Sequence, residues 1–390
     1  MAGLRPGWKG FTKSGSARTA VRTVGVGLIA LIWVMRFQLR PGFLVMNDQE
    51  RGAYVSKRAK ALIVVLYAAI LIAAGYAGFS GGGGFTKDKE GIDDNLQFVT
   101  GGESGTYYAF GTVLANYCTN NEGKTIVALS SNGSQANVQS LQDGDADMAF
   151  CQADVQTYAY QGSKLFEQSG AYKDFSVVAA LYPEQVQIVT TNPDIKTVAD
   201  LKGKTVSIGA AGSGVNFNAV DILGSYGIDS ETDIKPVYQS FADSTDSLKN
   251  GKIDAAFVVA GAPTTSITDL STAKPVHLVS LDDEHIAKLL KTSPYYQKVT
   301  IPADAYGLDS DTTTVAVLSV VIANDNVSDD AVYKFTKSIF DGAQAQPDAH
   351  DKYSEVSLET ATSVSTVPYH PGAAKYFAEQ GIKVNTKSAE

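Results

Sequence analysis

Arginine and tryptophan are missing from most of this 390-residue chain. All seven arginines lie at or before Arg58, and the two tryptophans are Trp8 and Trp33. Of 32 Lys+Arg and 41 Asp+Glu, 11 and 2 fall in residues 1–60; 21 and 39 remain beyond Lys60, a net charge of −18 there. An acidic, arginine-free body speaks against nucleic acid as a partner, because that partner wants a basic surface. It also removes the two-pronged guanidinium clamp used by many carboxylate sites. Any anion is left to lysine, hydroxyls or backbone N–H groups at helix starts.

Histidine and cysteine are nearly as scarce. His277, His285, His350 and His370 are scattered without metal-ligand spacing, so neither a metal site nor another cofactor is expected. Cys118 falls at the end of an expected helix and Cys151 at the far end of an expected strand. A dozen helical residues span roughly 18 Å, whereas a disulfide needs Cα atoms within about 7 Å. Two buried free thiols are therefore expected, although an exported domain would permit a bridge. Nucleotide fingerprints are also missing. A phosphate loop ending in Gly203-Lys204-Thr205 would need glycine where Val198 stands, and residues 209–214 do not read G-x-G-x-x-G. No glycine follows Ser104 or Ser213 with nucleophile-elbow spacing. With no nucleophile–base pair either, the chain reads as a non-enzyme; turnover of a bound ligand would mark an enzyme on the same framework.

Long apolar runs are confined to the start. Residues 1–60 form a basic leader, in which the run Val24–Val34 is too short to span a bilayer. Lys57, Arg58 and Lys60 then precede Ala61–Phe79, 19 uncharged residues. As a helix this run is roughly 28 Å long, enough for the hydrocarbon layer. It reads as an export signal, cleaved near Gly75-Tyr76-Ala77, or as an uncleaved anchor with its basic flank cytoplasmic. A start at Met46 would give a signal of ordinary length. Residues 80–95, Gly-rich and then charged, read as a flexible linker.

From Leu96 onward apolar runs alternate with helical patterns. Leu96–Val99, Thr125–Leu129 and Met148–Cys151 read as strands separated by helices, which predicts βα units and a parallel sheet. Phe175–Tyr182 and Val186–Thr190 read as two strands interrupted by Pro183-Glu184, a segment crossing between lobes. The pattern then restarts with Thr205–Ile208, Ile234–Tyr238 and Ile253–Val259, again with helices between. Gly144-Asp145-Ala146-Asp147 before the third strand is echoed by Gly251-Lys252-Ile253-Asp254. Two pseudo-equivalent α/β lobes follow: 96–183 as lobe 1 and 184–310 as lobe 2. Residues 311–390 read as a return segment with C-terminal helices packed on lobe 1.

Ligands of parallel sheets sit beyond the carboxyl ends of the strands. Three polar tips fall there: Ser104-Gly105-Thr106, Ser131-Asn132 and Gln152-Ala153-Asp154. The first, with Tyr107, opens a helix whose N–H groups and hydroxyls suit a carboxylate or phosphate; the plain alternative is that Ser104 or Thr106 caps its own helix. Gly212-Ser213-Gly214-Val215-Asn216 repeats the device in the second lobe. Gln152 and Asp154 face a ligand, or Asp154 caps the next helix. Glu184 contacts an ammonium group or holds the hinge.

Several stretches resemble the TAXI family of solute receptors, which serve tripartite ATP-independent periplasmic (TRAP) transporters. They include TGGESGTYYAFGTVLA from Thr100, SSNGSQANVQSLQDGDADMAFCQADV from Ser130 and LKGKTVSIGAAGSGVNFNA from Leu201. VVAALYPEQVQIVT, NGKIDAAFVVAGAP and YHPGAAKYFAEQGI extend the likeness to Leu96–Val384. The resemblance implies a two-lobed periplasmic-binding-protein fold, type II-like, preceded here by the N-terminal hydrophobic helix. It implies closure around a small solute such as glutamate, glutamine or another carboxylate, and delivery to TRAP membrane subunits. The binding residues it implies are Gly105, Thr106, Tyr107, Asn132, Gln152, Glu184, Ser213, Gly214 and Val215. Glu103-Ser104-Gly105 stands where family turns often read Gly-Gly-Thr, and Cys151 replaces a usual valine. An extracytoplasmic receptor, exported or anchored by Ala61–Phe79, is thus expected, with a membrane-anchored sensor as the alternative.

Overall fold

The computed structural model describes residues 91–387. The basic leader, the run Ala61–Phe79 and most of the linker lie outside the described residues. Among the described residues, no helix is long and apolar enough to cross a membrane.

β1 (Leu96–Val99), α1 (Thr106–Asn121), β2 (Ile126–Leu129), α2 (Ser134–Asp143), β3 (Met148–Gln152) and α3 (Ala153–Gln161) open the fold. The long β4 (Phe175–Thr190) leads to β5 (Thr205–Ser207), α4 (Gly214–Ser225), β6 (Lys235–Val237), α5 (Phe241–Lys249) and β7 (Ala255–Ala260). Next come α6 (Thr265–Ala273), β8 (His277–Leu278), α7 (Asp283–Thr292) and β9 (Gln297–Ile301). β10 (Thr312–Asn324), α8 (Asp329–Ala345), α9 (Leu358–Ala361) and α10 (Pro371–Glu379) end the chain.

The strands lie in the order β2-β1-β3-β10-β4-β7-β5-β6, with β8 beside β4 and β9 beside β10. β1 runs parallel to β2 and β3, and β5 parallel to β6 and β7. Between these two blocks β4 and β10 run antiparallel to each other. Both are long enough to belong to two cores. Phe175–Tyr182 and Val320–Ala323 pack in one apolar cluster with β1, β3 and α8. Val186, Ile188, Val315 and Val317 pack in another with α4 and β7, and Val189 joins a third cluster on the other face of that block with Leu248 and Ile267. β3 and β7 are buried along their whole length. They have helices on both faces, so they read as unbroken apolar runs.

Four local readings need correction. Pro183 does not interrupt β4, which runs unbroken from Phe175 to Thr190. Pro183 pairs with Leu318, next to a slip in the ladder between Leu318 and Val320. A residue without an N–H is tolerated beside such an irregularity. The sequence reads as helical over Val155–Phe166, but α3 stops at Gln161, where Gly162 at φ 67° turns its N–H back to Tyr158 and Ala159 carbonyls, a left-handed closure that favours glycine. α6 and β9 were not foreseen. α6 is rich in Ser and Thr, which favour caps over helix interiors, and owes its helix to Ile267 and Leu270 packing inward. β9 is mostly polar and gains its strand form from pairing with β10.

Candidate functional site

The strand ends of the first block are fastened by side chains before any ligand is considered. Asn137 Nδ2 donates to the carbonyls of Thr100 (2.6 Å) and Phe150 (2.7 Å), joining the tips of β1 and β3. Thr100 Oγ1 donates to Leu129 O at 2.8 Å, which brings in β2. Ser134 Oγ accepts from Gln152 N at 3.1 Å. The turns after these strands are thereby fixed, and α1, α2 and α3 start from them.

The lobes are closed on each other. Ala136 N donates to Gly212 O at 2.9 Å, and Ser266 N to Ser104 O at 3.3 Å. Thr106 Oγ1 donates to Gly261 O at 3.0 Å. The ring of Phe241 presses on Gly105 closely enough that a Cβ there would meet it at 3.3 Å. Between these contacts lies a cavity with about 590 Å³ of free space, its mouth included.

Ten of the expected site residues line it: Gly105, Thr106, Tyr107, Ser131, Asn132, Gln152, Glu184, Ser213, Gly214 and Val215. Four do not. Ser104 lies in a separate shallow pocket between α5 and α6, because its carbonyl is turned toward Ser266. Gly212 spends its carbonyl on Ala136. Asn216 faces a notch on the outer flank with Lys164 and Val220. Asp154 is buried against Asn218 of α4 at 3.2 Å, away from the cavity, and its other oxygen accepts from the adjacent Val155 N. Sequence reasoning missed Gln239, Ser240 and Phe241, which line the cavity from the start of α5. Position offered the signal: they follow β6 as Gln152 follows the core of β3. Glu103 is exposed and outside the cavity.

Helix starts differ in capping. α1, α2 and α4 begin at the cavity with Gly105, Gly133 and Ser213 as N-caps, and none has a side-chain cap. α3 and α6 also lack a side-chain cap, but the Val155 N–H of α3 goes to Asp154 Oδ1 and α6 begins outside the cavity. α5, α7, α8 and α10 are capped by Ser240, Asp282, Ser328 and His370. Ser104 and Thr106 therefore do not cap α1. Uncapped first-turn N–H groups carry the positive end of the helix dipole and accept an anion.

Polar side chains in the cavity are also unsatisfied. Gln152 Oε1, Ser213 Oγ and Gln239 Oε1 are buried and have no hydrogen-bond partner. Buried polar atoms without partners are few in folded proteins and ask for an explanation. Gly214 lies so close to Gln152 that a Cβ would come 1.9 Å from Oε1. Any side chain at 214 would have to displace the Gln152 amide from the cavity.

Glu184 is the single charged residue among those lining the cavity. It sits at the middle of β4, opposite Val317, where the two long strands pass from one core to the other. Its Oε2 accepts from Tyr107 OH at 2.5 Å, and the Tyr107 ring stacks on Phe150 at 4.5 Å. Burial pushes the Glu184 carboxyl up to about 8; the Tyr107 hydrogen bond and Lys352 work against this, and Asp154 adds to it. Lys352 itself is outside the cavity, buried beside Glu355 with Nζ donating to Ala262 O at 2.9 Å. Among the described residues, no group of three His, Cys, Asp or Glu has the arrangement of a metal site.

Two α/β lobes joined by a pair of continuous strands, closed on a polar cavity, form the two-lobed fold of periplasmic binding proteins. A model of the NMT1-like family matches residues 98–381, and the chain belongs to that family. It is similar to the solved aliphatic sulphonate-binding protein of Escherichia coli at 16% identity, covering 77% of this chain and 87% of that one, with a TM-score of 0.41. The alkanesulfonate-binding protein of Xanthomonas axonopodis pv. citri, bound to MOPS, matches at 16% identity over 76% and 88%, TM-score 0.42. The GluR0 ligand-binding core of Nostoc punctiforme, in complex with L-glutamate, matches at 15% identity over 67% and 98%, TM-score 0.39.

Proposed function

We propose that this chain is an extracytoplasmic receptor that closes its lobes on a small carboxylate-bearing solute and delivers it to the membrane subunits of a TRAP-type secondary transporter. Ala61–Phe79 would export it or anchor it. The observation that carries this reading is the convergence of three uncapped helix starts on one cavity that no arginine, lysine or histidine lines. Backbone N–H groups of α1, α2 and α4 would hold the carboxylate. Gln152 Oε1, Gln239 Oε1 and the Glu184 carboxyl would then take hydrogen-bond donors of the solute. A dicarboxylate brings no such donors, whereas an amino acid brings an ammonium group, so the cavity favours the amino acid. Hinge closure about β4 and β10 would do the capturing.

Calorimetric melts of the full-length protein in mild detergent test this against L-glutamate, L-glutamine, succinate and 2-oxoglutarate. A solute at 100 times its dissociation constant adds about 2.7 kcal/mol, a shift of several degrees at about 2–4 °C per kcal/mol. A shift with amino acids supports the reading in full; a shift with dicarboxylates alone overturns the donor argument; no shift with any of them overturns the receptor reading for carboxylates. Gly214→Val, which drives a side chain into Gln152, should abolish the shift and leave the protein's own midpoint within a few degrees.

A further inference from the structure

The seam between the lobes contains a second carboxyl that the solute cavity does not use. Asp154, the second residue of α3, is fully buried. Its Oδ2 accepts from Asn218 Nδ2 on α4 of the other lobe at 3.2 Å, and the same Nδ2 lies 2.7 Å from Tyr296 OH. Asn218 Oδ1 is buried and has no partner. The groups that face Asp154 offer it no cation. Asp221 on α4 and Glu184 on β4 are carboxyls, and Tyr158 on α3, Tyr296 before β9 and Cys151 on β3 have their acidities weakened by burial. Lys164 on the same flank is held by Asp221 at 3.5 Å. A buried charge without a counter-ion is costly, and a carboxyl so placed takes up a proton instead.

We propose that Asp154 is a proton-binding site of the closed state: closing the lobes seals this carboxyl against Asn218 and draws a proton from water onto it, so that acidity promotes closure. The proton gives Asp154 the donor it lacks. When the Asn218 amide turns over to present Oδ1, both the Asp154 and Tyr296 hydroxyls donate to that oxygen. When the lobes part, Asn218 leaves with α4, and Asp154 meets water and releases the proton. In the closed state burial pushes this carboxyl up from 3.8 to about 7. The closed-to-open ratio therefore rises as pH falls through about 7, and levels off near the ordinary aspartate range. Glu184, inside the cavity and pushed from 4.5 to about 8, adds a second proton over an overlapping window that reaches higher pH. This inference needs only that the lobes separate; it does not depend on which solute they hold.

The test uses no solute, so its outcome is independent of the receptor reading. Val127 on lobe 1 and Tyr238 on lobe 2 are 41% and 50% exposed. Val127→Cys and Tyr238→Cys in the full-length protein accept spin labels while the two native thiols stay buried. Pulsed distance measurements from pH 5 to 9 give the closed-to-open ratio. The ratio should fall up to about tenfold per pH unit for each proton released, and Asp154→Asn should remove the share of Asp154 in the fall between pH 5 and 7 and leave the shallower fall that Glu184 gives up to about 8. A ratio that ignores pH, a fall unchanged in Asp154→Asn, or no closed population at any pH overturns the proposal. Carbon-13 carboxyl titration of the unlabelled wild type decides independently if Asp154→Asn does not fold. One aspartate titrating near 7 supports the site, and all aspartates titrating below 5 overturn it.

Discussion

Glu184 carries the conflict of this cavity at the scale of one residue. Its carboxyl is 2% exposed and holds one neutral donor, the Tyr107 hydroxyl. Burial moves it from 4.5 to about 8, so the folded protein binds this proton more tightly than the unfolded chain does. The sign follows. The favourable contribution is complete below 4.5 and is lost as pH rises through about 8. Midpoints of thermal unfolding should therefore decline from pH 5 to 9, and Glu184→Gln should flatten part of that decline; parallel declines in both proteins would refute the assignment. The residue type was visible in the sequence, and so were its two readings, ammonium contact or hinge. The structure puts it in the cavity lining, at the point where β4 crosses between the cores.

At the scale of elements, a helix start without a side-chain cap at the cavity leaves N–H groups for a ligand. Ser240, Asp282 and Ser328 fold back onto the N–H groups of their own helices, whereas the starts of α1, α2 and α4 have no side-chain cap, although α2 spends its Ala136 N–H on Gly212 O. Sequence alone offered Ser104 and Thr106 as caps of α1, and a cap is a matter of one torsion angle that composition does not set. The platform under these starts is aromatic. Tyr107 stacks on Phe150, and Phe150 on Phe98 at 5.2 Å, all on β1, α1 and β3. Phe150→Ala removes the middle ring from a fully buried site and should cost about 3–5 kcal/mol by the usual large-to-small rule. Urea unfolding measures it; a loss under 1 kcal/mol would mean that the neighbouring rings collapse into the space.

For the whole molecule the consequence of two cores is mobility. The apolar clusters of the two lobes share the strands β4 and β10, and Phe217 of α4 crosses the seam to pack in the first cluster beside Tyr158. If the lobes part at the cavity, Phe217 leaves the first cluster while the rest of each core keeps its own side chains. Both cysteines lie within the first core, fully buried and unpaired. Burial pushes the Cys118 thiol up to about 11 and that of Cys151 upward as well. A thiol-specific reagent at pH 8 should react with neither in the native protein, and with two equivalents once the chain is unfolded. Rapid reaction of either thiol would show that the first core opens along with the cleft.

The α/β character, the repeated block and the long crossing strands follow from apolar periodicity and glycine-rich turns, which are local properties of the chain. So do the tips at Gly105–Tyr107, Asn132, Gln152 and Ser213–Val215, since a strand end followed by a helix start fixes them within a few residues. Which tips share a cavity is a property of the closed arrangement. Asp154 is two residues from Gln152, yet roughly half a turn at the start of α3 carries it to the seam while Gln152 stays at the cavity. Gln239 and Phe241, by contrast, reach the site from a different lobe. Those assignments depend on contacts between residues dozens to more than a hundred positions apart, such as Thr106 with Gly261 and Asp154 with Asn218. Only packing the two lobes together brings such pairs within hydrogen-bonding range.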